Sequence, residues 1–203
     1  MKFSVLIILA ILFADKAFAD IWASPETKEY YSSDSTFFVR IYPTDIPEKY
    51  YKWLRATPRK KRRFQPTDTL VTPCYARMYK VVNGRDSLIW QQKLINRVAP
   101  VTAIVSNDGK FLVTFDNWHS MGYGVDVMAY YNEKGELIKR YMLEDISPFP
   151  INTYGISIYS IWWRCGQEFI DNQRISICFN DENNQTIKRV YNLEERKIEE
   201  YSP

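Results

Sequence analysis

The stretch Val101-Thr102-Ala103-Ile104-Val105-Ser106-Asn107-Asp108-Gly109-Lys110-Phe111-Leu112-Val113-Thr114-Phe115-Asp116 sets two apolar runs on either side of an Asn-Asp-Gly turn. Branched and aromatic side chains fit a pleated, half-buried surface, and a turn of this type between two such runs is a strong hairpin signal. Two registers compete. A three-residue loop with Gly109 left-handed sets Val105 opposite Phe111, Ala103 opposite Val113 and Val101 opposite Phe115, so every pair on that face is apolar. A two-residue loop pairs Ala103 with Thr114 and Ser106 with Phe111, which mixes the faces. A one-residue slip moves side chains between core and solvent, so burial favours the three-residue register.

The same pattern extends outward along the chain. Candidate strands before it are Thr36 to Tyr42, Cys74 to Val82 and Ser87 to Lys93. After it come Val125 to Tyr131, Glu136 to Leu143, Ile156 to Trp163, Glu168 to Ile170, Arg174 to Phe179 and Thr186 to Tyr191. Turn signals recur roughly every ten residues, the signature of an antiparallel all-β chain. Glu133-Lys134-Gly135 joins Tyr131 to Leu137, and Asn83-Gly84 and Asp171-Asn172 mark further turns. Helix is scarce. Asp45-Ile46-Pro47-Glu48 carries an N-cap acid, an early proline and a Glu three residues on, which predicts one short helix near 46–56. Met142 to Ile146, stopped by Pro148, fits a single turn.

Tyr131, Asn132, Ile138 and Tyr141 recur as Tyr191, Asn192, Ile198 and Tyr201, at an offset of 60. With 15 tyrosines in the chain, four identities do not separate repeat from chance. Pro100 to Leu143 holds two consecutive hairpins, which is how a four-stranded propeller blade is built. The chain is short for a closed propeller, so a partial propeller-like stack or a twisted sandwich is expected.

Composition fits this reading. Of 203 residues, 46% are apolar, 25% charged and 16% aromatic, ordinary for a globular chain except for the aromatic excess. A single His argues against His-rich zinc or copper sites, and neither a metal nor a cofactor is expected. Lys2, the apolar run Val5 to Ala14 and the small-x-small Ala17-Phe18-Ala19 read as a signal peptide over 1–19, cleaved before Asp20. That run is shorter than the roughly 20 residues a spanning helix needs. Residues 20–203 are then one exported β-rich domain, periplasmic or secreted, with no transmembrane span. Net charge is +3, and Arg59-Lys60-Lys61-Arg62-Arg63 alone keeps it positive. This block, in an expected loop over 58–66, is a candidate for anionic partners. Export makes nucleic acid an unnatural partner.

The run Ala99-Pro100, Ser106-Asn107-Asp108-Gly109, Thr114-Phe115-Asp116-Asn117-Trp118 and Gly122-Tyr123-Gly124 resembles an uncharacterised family of secreted bacterial proteins with propeller-like hairpin units. Asp20-Ile21-Trp22-Ala23 and Ile161-Trp162-Trp163 are similar to it too. The likeness is firm over roughly residues 99 to 145. It implies a secreted single domain and carries no activity, ligand or site residue.

Candidate chemistry is thin. Asp116, His119 and Ser120 supply acid, imidazole and hydroxyl, so an envelope hydrolase is one alternative; but neighbours in sequence rarely converge into a triad, and no nucleophile elbow is present. Asp116 and Asn117 serve equally well to bond a loop's own backbone. The acids Asp116, Asp126, Glu144 and Asp145 have no distinguishing spacing, and the oxygen-rich Asn180 to Asn184 reads as a turn. Trp118, Tyr123 and Trp163 are candidates for an aromatic surface; of the consecutive Trp162 and Trp163, one must face away from the other.

Three cysteines leave one odd. Counting back from a loop over Ile170 to Gln173, with Phe169 facing Arg174, sets Cys165 opposite Cys178, a candidate disulfide. A bulge at Gly166 would set Gly166 against Cys178 and part the thiols. Cys74 reads as a buried free thiol. The sequence favours a non-enzymatic binding or structural protein of the cell envelope, its partner an anionic envelope component or another protein. Two alternatives stand beside it: the Asp116/His119 hydrolase, and binding to anionic surfaces through the basic loop.

Overall fold

The computed structural model describes residues 23–45 and 72–199. The helix expected near 46–56, the basic block and the signal segment lie outside the described residues. Fourteen strands follow in chain order: β1 (Lys28–Tyr31), β2 (Phe37–Tyr42), β3 (Tyr75–Val82), β4 (Arg85–Lys93), β5 (Pro100–Val105), β6 (Leu112–Asn117), β7 (Met128–Tyr131), β8 (Leu137–Tyr141), β9 (Gly155–Ile156), β10 (Ile161–Trp162), β11 (Arg164–Phe169), β12 (Arg174–Asn180), β13 (Thr186–Asn192) and β14 (Lys197–Glu199). One helical turn, α1 (Leu143–Ile146), follows β8. Every sheet is antiparallel, and each four-stranded sheet runs in sequence order: β1-β2-β3-β4 (sheet I), β5-β6-β7-β8 (sheet II) and β11-β12-β13-β14 (sheet III). The chain is all-β, built from hairpins.

Two apolar clusters stack the sheets. Phe37, Val39, Ile41, Ala76, Met78 and Trp90 of sheet I meet Ala103, Val105, Leu112, Ala129 and Tyr131 of sheet II. Phe111, Val113, Phe115, Met128 and Tyr130, from the other side of sheet II, meet Ile175, Ile177, Phe179 and Tyr191 of sheet III. Sheet II is therefore the middle layer. Its strand β7 is buried at all four residues and β6 at all but Asn117, which is why both read as continuous apolar runs rather than alternating ones.

That burial overturns the expected register of the first hairpin. The strands pair Val105 with Leu112, Ile104 with Val113, Ala103 with Thr114 and Thr102 with Phe115. The three-residue-loop register rested on one buried face, and here both are buried, so mixing apolar partners across faces costs nothing. Turn chemistry chooses instead. The N–H of Ser106 donates to Phe111 O (3.0 Å), and Ser106 Oγ accepts the Phe111 N–H (3.0 Å) and donates to Asp108 Oδ1 (2.8 Å). Gly109 is left-handed as expected, with φ +70°. The turn before β2 repeats this device: Ser32 bonds Phe37 and Asp34 in the same pattern, and Ser35 holds the left-handed position at φ +58°. The two turns touch, Ser33 Oγ donating to Asn107 Oδ1 at 2.8 Å.

Elsewhere, Tyr131 faces Leu137 across the Gly135 turn, as its sequence suggests. Tyr131 and Tyr191 stand at the ends of the third strands of sheets II and III, but Tyr131 faces Leu137 whereas Tyr191 faces Ile198. The offset of 60 therefore joins like strands without a common register; Tyr201 lies outside the described residues. The single strand expected over Ile156 to Trp163 is instead a small hairpin, β9–β10, with a turn between. Two charged edge strands, β1 and β14, carry too little apolar alternation to be read from sequence. In sheet III Phe169 faces Ile175, not Arg174, and the register shifts between Arg164↔Phe179 and Gly166↔Cys178. The expected register, Cys165 directly opposite Cys178, is thus replaced by the alternative slip that sets Gly166 against Cys178, yet this slip does not part the cysteines. Cys165 becomes the bulged residue, with its Cα 5.2 Å from that of Cys178, and the two are disulfide-bonded. That separation is ordinary for a disulfide. Cys74 is a buried free thiol, pushed up to about 12 by burial.

Candidate functional site

Asp116 ends the apolar run of β6 and is fully buried, its backbone left-handed at φ +59°. Its N–H donates to Val127 O (2.8 Å) and its carbonyl accepts from Asn96 Nδ2 (3.2 Å). Oδ1 accepts the Gly122 N–H (2.7 Å) and the Trp163 Nε1–H (2.9 Å), and Oδ2 accepts from the Arg164 guanidinium (3.1 Å). Arg164 lies over the rings of Phe115 and Trp163, at 4.6 and 5.2 Å, and donates to Gln167 Oε1 (2.6 Å). Burial pushes the Asp116 carboxyl up from its ordinary value, with Arg164, Trp163 and Gly122 pulling against it; burial likewise lowers the Arg164 guanidinium. Gly122 (φ +76°) must be glycine here, since a Cβ would come within 2.7 Å of the Ile161 side chain. The arrangement ties β6, the 117–124 loop and the start of β11 together through one carboxylate.

The other sequence candidates sit elsewhere. His119 is exposed, its ring edge-on to Trp118 at 6.4 Å, and its backbone is left-handed. Ser120 closes a tight turn by donating its N–H to Asn117 O (2.9 Å). Asp116 faces the interior while His119 faces solvent, so a substrate at the imidazole would not reach the carboxylate. Trp118 donates Nε1–H to Ala23 O (3.0 Å) under the Lys28 ammonium, and Tyr123 donates its hydroxyl to Ser157 O (2.9 Å). Trp163 is a core residue, so it does not belong to an aromatic surface; its neighbour Trp162 is the exposed one. The three aromatic candidates form no common platform. Asp181, in the oxygen-rich run, accepts the Asn183 and Gln185 N–H groups of its own turn. Among the described residues no group of three or more His, Cys, Asp or Glu could hold a metal.

A second constellation was invisible to the hairpin reading. Phe37, Val39 and Ile41 point into the core, so Phe38, Arg40 and Tyr42 share the opposite face of β2, beside Tyr75, Arg77 and Tyr79 of β3. On that outer face Tyr31, Phe38 and Tyr79 stack in a row at 5.0 and 4.8 Å, and Tyr42 stacks on Tyr75 at 4.5 Å. Arg40 lies over Phe38 and Tyr79; Arg77 lies over Tyr42 and Tyr75.

Arg40 and Arg77 are direct cross-strand partners, a like-charge juxtaposition that costs stability unless anions offset it. Arg40 has its anion, Glu29, with Nε to Oε1 at 2.6 Å. Arg77 donates to Gln91 Oε1 (2.7 Å) and approaches the Tyr42 hydroxyl (3.4 Å), and no carboxylate among the described residues pairs with it. Beside it Thr72, Pro73, Tyr75, Gln91, Gln92 and Lys93 line an open groove of about 400 Å³. Asp45 and Thr72 pair through both backbone bonds (2.9 and 3.1 Å) next to Tyr42 and this groove. The segment that carries Arg59 to Arg63 therefore leaves and rejoins the described fold at this corner. The legible signal was the second parity of β2, Phe-x-Arg-x-Tyr, answered by Tyr-x-Arg-x-Tyr in β3.

No family model matches the chain, and no curated protein matches it in sequence. No helix among the described residues is long and apolar enough to cross a membrane.

Proposed function

We propose that this chain is an exported, non-enzymatic binding protein of the cell envelope. In this reading the outer face of sheet I holds an anionic envelope component, an acidic glycan. The observation that carries it is Arg77: a guanidinium set among tyrosines, opposite a second arginine, with Gln91 beside it and no carboxylate paired with it among the described residues. Sugar rings stack on aromatic side chains, and a carboxylate or sulfate on the ring would supply an anion for Arg77. A groove of this size falls within the usual range for ligand sites. The basic block Arg59 to Arg63 of the sequence adds long-range attraction. Against the hydrolase alternative stands the engagement of both Asp116 oxygens inside the core. The Cys165–Cys178 bridge supports an oxidising compartment, and the three meanders stacked in sequence order support a partial propeller of the kind the resemblance implies.

The test is binding of a polyuronate, with a neutral glucan as control, at low and high salt. Wild type should bind the polyuronate, the affinity falling with salt, and Arg77→Ala should weaken it at least tenfold while costing under about 1 kcal/mol of stability. Binding that ignores both salt and Arg77 would overturn the site. Release of reducing ends by wild type, abolished in His119→Ala, would overturn the non-enzymatic reading.

A further inference from the structure

Ile146 to Trp163 is a run of eighteen residues without a charge, between Asp145 and Arg164. Part of it is core: Ile146, Tyr154, Ile161 and Trp163 are buried. The β9–β10 hairpin, however, carries four large apolar side chains into solvent: Ile158 at 86%, Trp162 at 57%, Ile156 at 53% and Tyr159 at 50% exposure. The tip is held in place. Ser160 O accepts the Ser157 N–H (2.7 Å), and Ser157 Oγ accepts the N–H groups of Ser160 (3.0 Å) and Tyr159 (3.3 Å). Its base is anchored by the Ile161 N–H to Met121 O (2.9 Å) and by Tyr123 to Ser157 O (2.9 Å).

From this geometry we infer that the β9–β10 tip is a lipid-anchoring element that enters the interfacial layer of a bilayer, independently of the anionic site on sheet I. Three observations choose lipid over a protein partner. The four side chains expose on the order of 400–500 Å², taking about 150–250 Å² for a whole aromatic side chain; a stable protein interface needs about 800 Å² per partner. Trp and Tyr, which favour the headgroup level, stand beside two Ile that favour the acyl boundary. The turn's N–H groups at Ser157, Tyr159 and Ser160 are already bonded, and no charge lies in the run, so entry strips water from few unsatisfied groups.

The experiment is co-sedimentation of the chain from Asp20 onward, which contains every described residue, with neutral phosphatidylcholine vesicles. Wild type should bind with little dependence on salt, with a blue shift of tryptophan emission that Trp162→Phe diminishes. The double variant Ile158→Asp/Tyr159→Ser should lose at least tenfold in bound fraction while its melting temperature and circular dichroism are unchanged; Ile158→Ser alone should lose less. Arg77→Ala should bind vesicles as wild type does, which separates this inference from the glycan site. Equal binding by wild type and the double variant would overturn it. So would a concentration-dependent dimer of wild type that Ile158→Asp dissolves, since the tip would then be a protein contact.

Discussion

Sheets I and II are the same object twice: a four-stranded meander in sequence order, its first two strands joined by the same six-residue turn, Ser32 to Phe37 in one and Ser106 to Phe111 in the other. Their surroundings differ. Sheet II is covered on both faces, and the buried ion pair between its Asp116 and Arg164 of sheet III is caged by aromatic rings. On the outer face of sheet I, Arg40 and Arg77 lie over tyrosine rings and are half-buried rather than enclosed, although Phe38 between them and Tyr31 is buried. The two sheets use the same residue types, arginine against aromatic ring, for opposite ends. Where water is excluded, the pair must be complete because an uncompensated charge there is costly. Where water reaches the guanidinium, it solvates the charge and no carboxylate partner is required.

The contrast breaks first at the ion pair. Asp116→Asn leaves Arg164 buried without its anion, and urea unfolding should show a loss of about 3–5 kcal/mol; Arg77→Ala, on the outer face, should cost under about 1 kcal/mol. If the two variants cost the same, the distinction between the sheets fails. The apolar residues sharpen it next. Leu112→Ala, between sheets II and I, should lose about 2–5 kcal/mol, whereas Leu88→Ala, more than half exposed on β4, should change stability by less than about 0.5 kcal/mol.

The paired turns give a smaller effect with opposite signs. Gly109 is left-handed and its missing Cβ makes room for the Phe37 ring, so Gly109→Ala should destabilise by about 1–3 kcal/mol. Ser35 holds the same conformation at the cost of its side chain, and Ser35→Gly should stabilise by about 0.5–1 kcal/mol. Thermal melts of the two variants moving in the same direction would refute the equivalence of the turns.

The smallest effect is one of pH. The Ser32 hydroxyl, with the Thr36 N–H, holds the Asp34 carboxyl below its ordinary value. A carboxyl lowered on folding contributes fully above its unfolded value, near about 4, and loses that contribution as pH falls through the folded value. Asp34→Asn should therefore flatten the acid limb of stability against pH while leaving the neutral region nearly parallel to wild type.

Much of the architecture was legible because its signals are short in range. Asn-Asp-Gly, Glu-Lys-Gly and Asn-Gly place three turns from local backbone preference alone, and the apolar runs beside them need nothing more to be strands. The exceptions follow from the same physics. Lys28–Tyr31 and Lys197–Glu199 are edge strands without alternation, held by their partners rather than by their own pattern. The outer face of sheet I was written in the sequence as the second parity of β2 and β3, but parity does not say which side will be covered.

By itself, then, the sequence determined an antiparallel β chain, the positions of its main hairpins, the left-handed glycine at 109 and a buried Cys74. Tertiary structure alone decided the rest. The register of β5 against β6 depended on whether one face or two would be buried, and the second face is supplied by sheet III, far along the chain. Asp116 became a structural anchor rather than a free acid because Trp163, 47 residues away, and Arg164 arrive at its oxygens. Trp163, between β10 and β11, turned inward and Trp162 outward for the same reason: adjacent residues of an extended chain face opposite ways, and only the assembled core selects between them. Side-chain chemistry is local, but which side of a sheet meets water is a property of the whole stack.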